Sequence, residues 1–196
     1  MSLSAAWKTA LDELARDAKP FKDDWIRSVE AQFGAPDDVI SGEGTQLNGG
    51  RFASVGVRAV YASIDEETVT REVTRRKKRL GGKALISLKD YPRITYVIAF
   101  DIKKCVDFRG VDPASDLGKV LVAALNEDIL QASQDVGDYL ISKNIQGAIF
   151  PSVTGYGANV VAYLDAKPSP HVDISNRAEV DAAIEKFIKR ARKKAP

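Results

Sequence analysis

The chain has 196 residues, 44% of them hydrophobic, and a formal net charge of +2. That length and composition predict one globular domain with its own core, and so small a net charge gives no ground for a nucleic-acid partner. A single cysteine, Cys105, excludes an intrachain disulfide, and with a single histidine, His171, it leaves no ligand set for structural zinc.

In chain order, the first element predicted is a helix over about Ser4 to Ala18. Trp7, Leu11 and Leu14 recur at helical spacing and Pro20 stops it. Charges at Lys8, Asp12, Glu13, Arg16 and Asp17 leave no apolar core of a signal peptide there. No later stretch approaches the ~20 apolar residues that cross a bilayer, so the expectation is a cytoplasmic protein without membrane contact. Asp24 to Phe33 fits either a short helix or a strand edge. Ser41 to Gly50, rich in Gly, Ser, Thr and Asn, predicts a loop. Arg58 to Ser63 predicts a strand. A helix follows, opened by Asp65, Glu66 and Glu67 and ended near Leu80 by Gly81 and Gly82. Thr95 to Asp101, β-branched and aromatic, predicts a strand that Cys105 to Phe108 extends after a bend. About Asp116 to Lys143 is helical, with Ile129, Ser133, Val136 and Leu140 on one face. Ala148 to Pro151 and Asn159 to Asp165 predict two strands joined by the loop Ser152 to Ala158. Arg177 to Lys194 predicts a basic amphipathic helix capped by Asn176. Helices and strands mix without a regular βαβ rhythm, so the fold class predicted is α+β.

Four places offer chemistry. The run SGEGTQLNGGRF ends on Arg51, whose planar fork suits phosphate at the end of a glycine-rich approach. Without GK[ST] it is neither a Walker A loop nor a dinucleotide fingerprint. Tyr61 lies on the RAVYAS strand, where a ring stacks on a flat base or simply fills the core. Glu72 sits beside the Val69–Val73 stripe, one turn after Thr68, where a carboxylate can stabilise a cationic transition state. Ser152 opens a glycine-bracketed loop at a strand end. Each alone also reads as ordinary structure: a turn, a core ring, an exposed helix glutamate, a turn serine. The basic runs around Arg75 to Arg79 and Lys186 to Lys194 lack interleaved aromatics, and read as solvated faces or as contacts for an acidic partner surface.

Taken together, these motifs resemble the RES family, named for an arginine, a glutamate and a serine. The family's GGRW or GGRF appears as Gly49 to Phe52, and its VVYTS-like strand as Ala59 to Ser63. Tyr61 follows Arg51 by ten positions and Glu72 follows Tyr61 by eleven. The later family block appears as QGAIFPSVTGYGANVVAYLD, and YVIAFDIKKCVDF resembles the family's middle strand. The likeness covers about Trp25 to Asp165. Two departures stand out: Ala53-Ser54 replaces the usual Asn-Pro, and Arg76 stands where some members carry a histidine one turn after the glutamate.

The resemblance implies a fold similar to the ADP-ribosyltransferase toxins, with a mixed or antiparallel sheet and flanking helices. It implies a RES domain over 23–170, an N-terminal helical extension over 1–22 and a basic helix over 171–196 packed on the domain. It further implies a toxin that consumes NAD⁺ as substrate, without a metal, by phosphorolysis or hydrolysis of the nicotinamide–ribose bond. The implied partner is a cognate antitoxin related to helix-turn-helix proteins. Glu72 is expected at the ribose, Arg51 on the pyrophosphate or a phosphate nucleophile, Tyr61 near nicotinamide, and Ser152 on the ribose or amide. Asn159 and Arg27 are expected to line the cleft. An ADP-ribosyltransferase acting on a protein target, and a basic binding module without catalysis, remain open as alternatives.

Overall fold

The computed structural model describes residues 3–79, 93–125 and 130–175, with backbone only for 74–79. The helix predicted over Arg177 to Lys194 lies outside the described residues.

Helix α1 (Ala5–Arg16) is capped by Ser4, whose hydroxyl accepts the Trp7 N–H at 3.2 Å, and it buries Leu11. The chain then runs directly into β1 (Lys19–Glu30), which makes the ambiguous segment a long strand as far as Glu30, with a short 3-10 helix over Ala31–Phe33. Pro20 lacks an N–H, and the ladder with β3 slips between Lys19 and Phe21, where it stands. The remaining strands are β2 (Ala59–Ser63), β3 (Arg93–Asp107), β4 (Gly147–Pro151), β5 (Ala158–Tyr163) and β6 (His171–Ile174). The order is β1-β2-β5-β4-β3-β6, with β1 also paired along most of β3. Five strands therefore close a ring, joined at its narrowest by the single pair Ile26 to Ser63. Only β3 and β4 run parallel, so the sheet is mixed. β6 lies on β3 opposite β1, since Ile98 pairs with both Trp25 and Ile174.

Alternation along the strands divides the interior in two. One face carries Ala59, Tyr61, Ala148, Phe150, Val161 and Tyr163, packed against α1, α5 (Asp116–Ala124) and α6 (Leu130–Ser142). The other carries Val60, Ala62, Val160 and Ala162 with Trp25, Ile98 and Phe100. With both faces covered, every residue of β5 is buried.

The expected loop Ser41 to Gly50 is instead mostly helical. After α2 (Pro36–Ile40), the short α3 (Glu43–Asn48) is bounded by Gly42 and Gly49, both at φ +70°. Glycine suits these two positions because left-handed backbone is open to it without cost. Thr45 then donates its hydroxyl to the Ala59 carbonyl at 2.7 Å, tying α3 to β2. That tertiary bond overrides the loop-like composition. α4 (Glu66–Arg79) crosses beside β1 and β2.

α1 is fastened to α6 through Asp12, whose Oδ1 accepts the Tyr139 hydroxyl at 2.9 Å and Lys143 Nζ at 2.7 Å. Hydrogen bonds from Lys143 and then from Tyr139 hold the Asp12 carboxyl below the usual carboxylate range. A depressed carboxyl contributes stability that is complete above its unfolded-state pKa and lost as pH falls through the folded one. Asp12→Asn is therefore expected to lower Tm slightly at neutral pH, the pair being exposed, and to make no difference in acid below the carboxylate range. Thermal melts across that pH range check this, and a deficit independent of pH would contradict it.

Candidate active site

Glu72 is placed by α4 with its side chain against the ends of β4 and β5. Its Oε1 accepts two hydrogen bonds, from the Ser152 hydroxyl at 2.6 Å and from Asn159 Nδ2 at 2.9 Å. Three of the residues picked out from the sequence thus meet at one atom, although 80 and 87 positions separate them along the chain. Glu72 Oε2 has no hydrogen-bond partner among the described residues. The carboxylate is therefore held by one oxygen and presents the other.

Strand period explains how Asn159 comes to be there. Ser63 and Asn159 are cross-strand partners, as are Asn159 and Phe150, and Ser152 lies two residues beyond Phe150 on the same face. Ser152 is only 4% exposed. Thr154 donates its N–H to Ser152 Oγ at 3.1 Å, and the two hydroxyls lie 2.7 Å apart. A carboxylate can only accept, so the Ser152 proton goes to Glu72 and Thr154 supplies the bond between the hydroxyls.

The loop carrying Ser152 is pressed onto α4. Its ends close through Ser152 N–H to the Gly157 carbonyl at 3.1 Å. Gly157 has φ +68°, and a Cβ there would stand 2.0 Å from Thr68 Oγ1 on α4. Arg71 lies over the Tyr156 ring at 4.6 Å and pairs with Glu67 at 2.6 Å.

Tyr61 occupies the same sheet face as Ser63 and Asn159, but its hydroxyl is engaged elsewhere. It accepts the Phe52 N–H at 3.0 Å, and its ring lies against Gly50 and edge-on to Phe150 at 6.5 Å. Burial pushes its phenol pKa well up, so it stays neutral. The phenol thus secures the GGRF turn. Arg51 projects from that turn and donates Nη1 to the Ala124 carbonyl at the end of α5, at 3.1 Å. No hydrogen bond joins Arg51 or Tyr61 to Glu72 among those described.

Arg27, on β1, donates Nη1 to the Tyr61 carbonyl at 2.6 Å, across the gap where β1 and β2 diverge. Its Nε is buried without a partner, and no carboxylate pairs with it among the described residues. Burial, with Arg93 nearby, lowers its pKa to about 10, so the guanidinium remains cationic at neutral pH. A partly buried cation with no carboxylate beside it among the described residues is costly, and an anionic ligand would offset that cost.

Ser63 and Thr154 escaped the sequence reading. Ser63 was findable, two residues from Tyr61 on a strand; for Thr154 no sequence signal exists. His171 lies elsewhere, on β6 opposite Asp101, lining a groove of about 470 Å³ with Lys22, Asp23, Asp24 and Phe100. Ser152 is thus engaged with a carboxylate and not with the histidine. Among the described residues no cluster of His, Cys, Asp or Glu is placed to hold a metal, and no helix is long and apolar enough to cross a membrane.

A family model described as RES domain matches residues 24–184. No curated protein matches the chain in sequence. Among solved structures, the M. tuberculosis MbcT–MbcA toxin–antitoxin complex contains a similar chain, with a TM-score of 0.64 and 16% identity over 96% of this chain and 100% of that one. At that identity the likeness carries the fold.

Proposed function

The chain belongs to the RES domain family, and from that premise we propose that it is the toxin of a toxin–antitoxin pair and cleaves the nicotinamide–ribose bond of NAD⁺. The observation that carries this reading is the Glu72 carboxylate, anchored through Oε1 by both Ser152 and Asn159, with no partner for Oε2 among the described residues.

Breaking that bond moves its electron pair onto the nicotinamide nitrogen, which leaves neutral, and builds positive charge on the ribose ring. A good leaving group needs little acid help. Catalysis therefore rests on posing the substrate and on negative charge beside the ribose. Glu72 supplies that charge from a fixed position. Ser152 and Asn159 hold the carboxylate, and the Ser152 hydroxyl is assigned to the ribose or the amide. Tyr61, fixed by Phe52 and Gly50, walls the nicotinamide side. Arg51 and Arg27 answer the two negative charges of the pyrophosphate, and the Arg27 guanidinium, with no carboxylate paired to it among the described residues, favours such an anion. A nucleophile then attacks the ribosyl carbon: water yields ADP-ribose, phosphate yields ADP-ribose-1-phosphate, and a protein side chain yields an ADP-ribosylated protein. The proposed partner, a cognate antitoxin of helix-turn-helix-related fold, would cover this site. The similar chain was solved in a toxin–antitoxin complex, which supports that pairing.

Arg27→Gln keeps an amide donor for the Tyr61 carbonyl while removing the charge. Losing one charge-assisted bond of about 1.5–3 kcal/mol should raise KM for NAD⁺ roughly 10- to 100-fold, with a smaller effect on kcat. Steady-state nicotinamide release measures this; an unchanged KM would remove Arg27 from the substrate site.

A further inference from the structure

Behind Asn159 stands a residue that touches no substrate in the account above. The Ser63 hydroxyl donates to Asn159 Oδ1 at 2.6 Å, while Asn159 Nδ2 donates to Glu72 Oε1 at 2.9 Å. We propose that Ser63 is a positioning residue that fixes the Glu72 carboxylate through the Asn159 carboxamide. The proposal rests on the reading that Glu72 faces the ribose.

A carboxamide has two ends of nearly equal shape and opposite hydrogen-bonding sense. Turned one way, Asn159 offers N–H to Glu72. Turned the other way, it sets an oxygen against the carboxylate, acceptor against acceptor. The first orientation leaves Oδ1 facing the sheet, where it needs a donor. Ser63, directly across the β2–β5 ladder, supplies it. The two residues are 7% and 8% exposed, so water is a poor substitute. Without the Ser63 hydroxyl, Oδ1 becomes a buried acceptor with nothing to accept from. Turning the carboxamide relieves that strain but withdraws the N–H from Glu72. The carboxylate then keeps only the Ser152 bond and is free to exchange its two oxygens. The damage falls on charge placement at the reacting carbon and not on pyrophosphate binding, so it should appear in kcat and not in KM.

The test compares Ser63→Thr with Ser63→Val. These two side chains share a shape, so any crowding in β2 affects both, and they differ in the hydroxyl. Nicotinamide release from NAD⁺ by the full chain should be near wild type for Ser63→Thr. For Ser63→Val, kcat should fall about tenfold with KM within about twofold. In parallel, NMR of the Asn159 side-chain amide should show protons protected from exchange in wild type and Ser63→Thr, and unprotected in Ser63→Val. Equal kcat in the two variants overturns the proposal. So does a fall in kcat with the Asn159 amide unchanged, because the route through Asn159 would then be wrong. If wild type releases no nicotinamide, the functional reading fails, while the amide signal still decides whether Ser63 holds Asn159.

Discussion

Glu72→Gln is expected to lower kcat for nicotinamide release by about 10²- to 10³-fold while leaving the fold and Tm unchanged. The amide oxygen of glutamine can take the place of Oε1 and accept from Ser152 and Asn159 as the carboxylate does. What disappears is the negative charge that the proposed mechanism places beside the ribose. In the ground state the positive charge sits on the pyridinium nitrogen, and as the bond to nicotinamide breaks it moves onto the ribose, beside the carboxylate, where the interaction is strongest. The loss should therefore sit in kcat, with KM nearly constant. Glu72→Asp keeps the charge but shortens the side chain, pulling it off Ser152 and Asn159, so it should be impaired as well. A Glu72→Gln protein with wild-type turnover would dissociate the carboxylate from the chemistry.

The second large effect is structural and reaches the site indirectly. Gly137 lets α6 lie directly on the backbone of Phe52. A Cβ there would stand 2.0 Å from the Phe52 carbonyl oxygen and 2.5 Å from its carbon. Both are backbone atoms, so no rotamer change relieves the clash, and the helix must back away by about 1 Å or more. Phe52 is packed against Phe150 at 4.5 Å and Phe108 at 6.2 Å, and its N–H holds Tyr61. Gly137→Ala should therefore cost about 3 kcal/mol and lower Tm by roughly 6–12 °C for a domain of this size. The GGRF turn and Arg51 would shift with it. Gly44→Ala is the control. Its Cβ would meet nothing within 4 Å inside α3, and it should be neutral or slightly stabilising. Calorimetry of the two variants separates the cases, and equal melting temperatures would contradict the packing described.

The sequence made some of this legible and concealed the rest for identifiable reasons. Thr95 to Asp101 announces β3 because β-branched and aromatic residues crowd one stretch, and α1 announces itself through Trp7, Leu11 and Leu14. β1 is hidden because its first half, from Lys19 to Asp24, is polar and largely exposed, so no alternation marks it. α3 is hidden because its short glycine- and asparagine-rich run is helical only with Thr45 tied to β2 and left-handed glycines at both ends. β6 is hidden by its four-residue length and by Pro168 and Pro170 just before it. It pairs with β3 in the same sheet, and the family match extends past it to residue 184. In the candidate site, Glu72, Ser152 and Asn159 carry no individual signature. Spacing from Arg51 and Tyr61 brought Glu72 forward, the block QGAIFPSVTGYGANVVAYLD brought Ser152 and Asn159 forward, and strand period explains why those two share a face. The hydroxyl of Tyr61 holding Phe52, and Arg27 bonded to the Tyr61 carbonyl, are contacts across 9 and 34 positions that no local pattern encodes.

NAD⁺ cleavage is measured by incubating the purified chain, freed of any bound protein, with NAD⁺ and separating the products with and without inorganic phosphate. One nicotinamide should be released for each NAD⁺ consumed, with the ADP-ribosyl half recovered as ADP-ribose, as its 1-phosphate or attached to protein. Intact NAD⁺ after incubation with folded protein under all these conditions would contradict it.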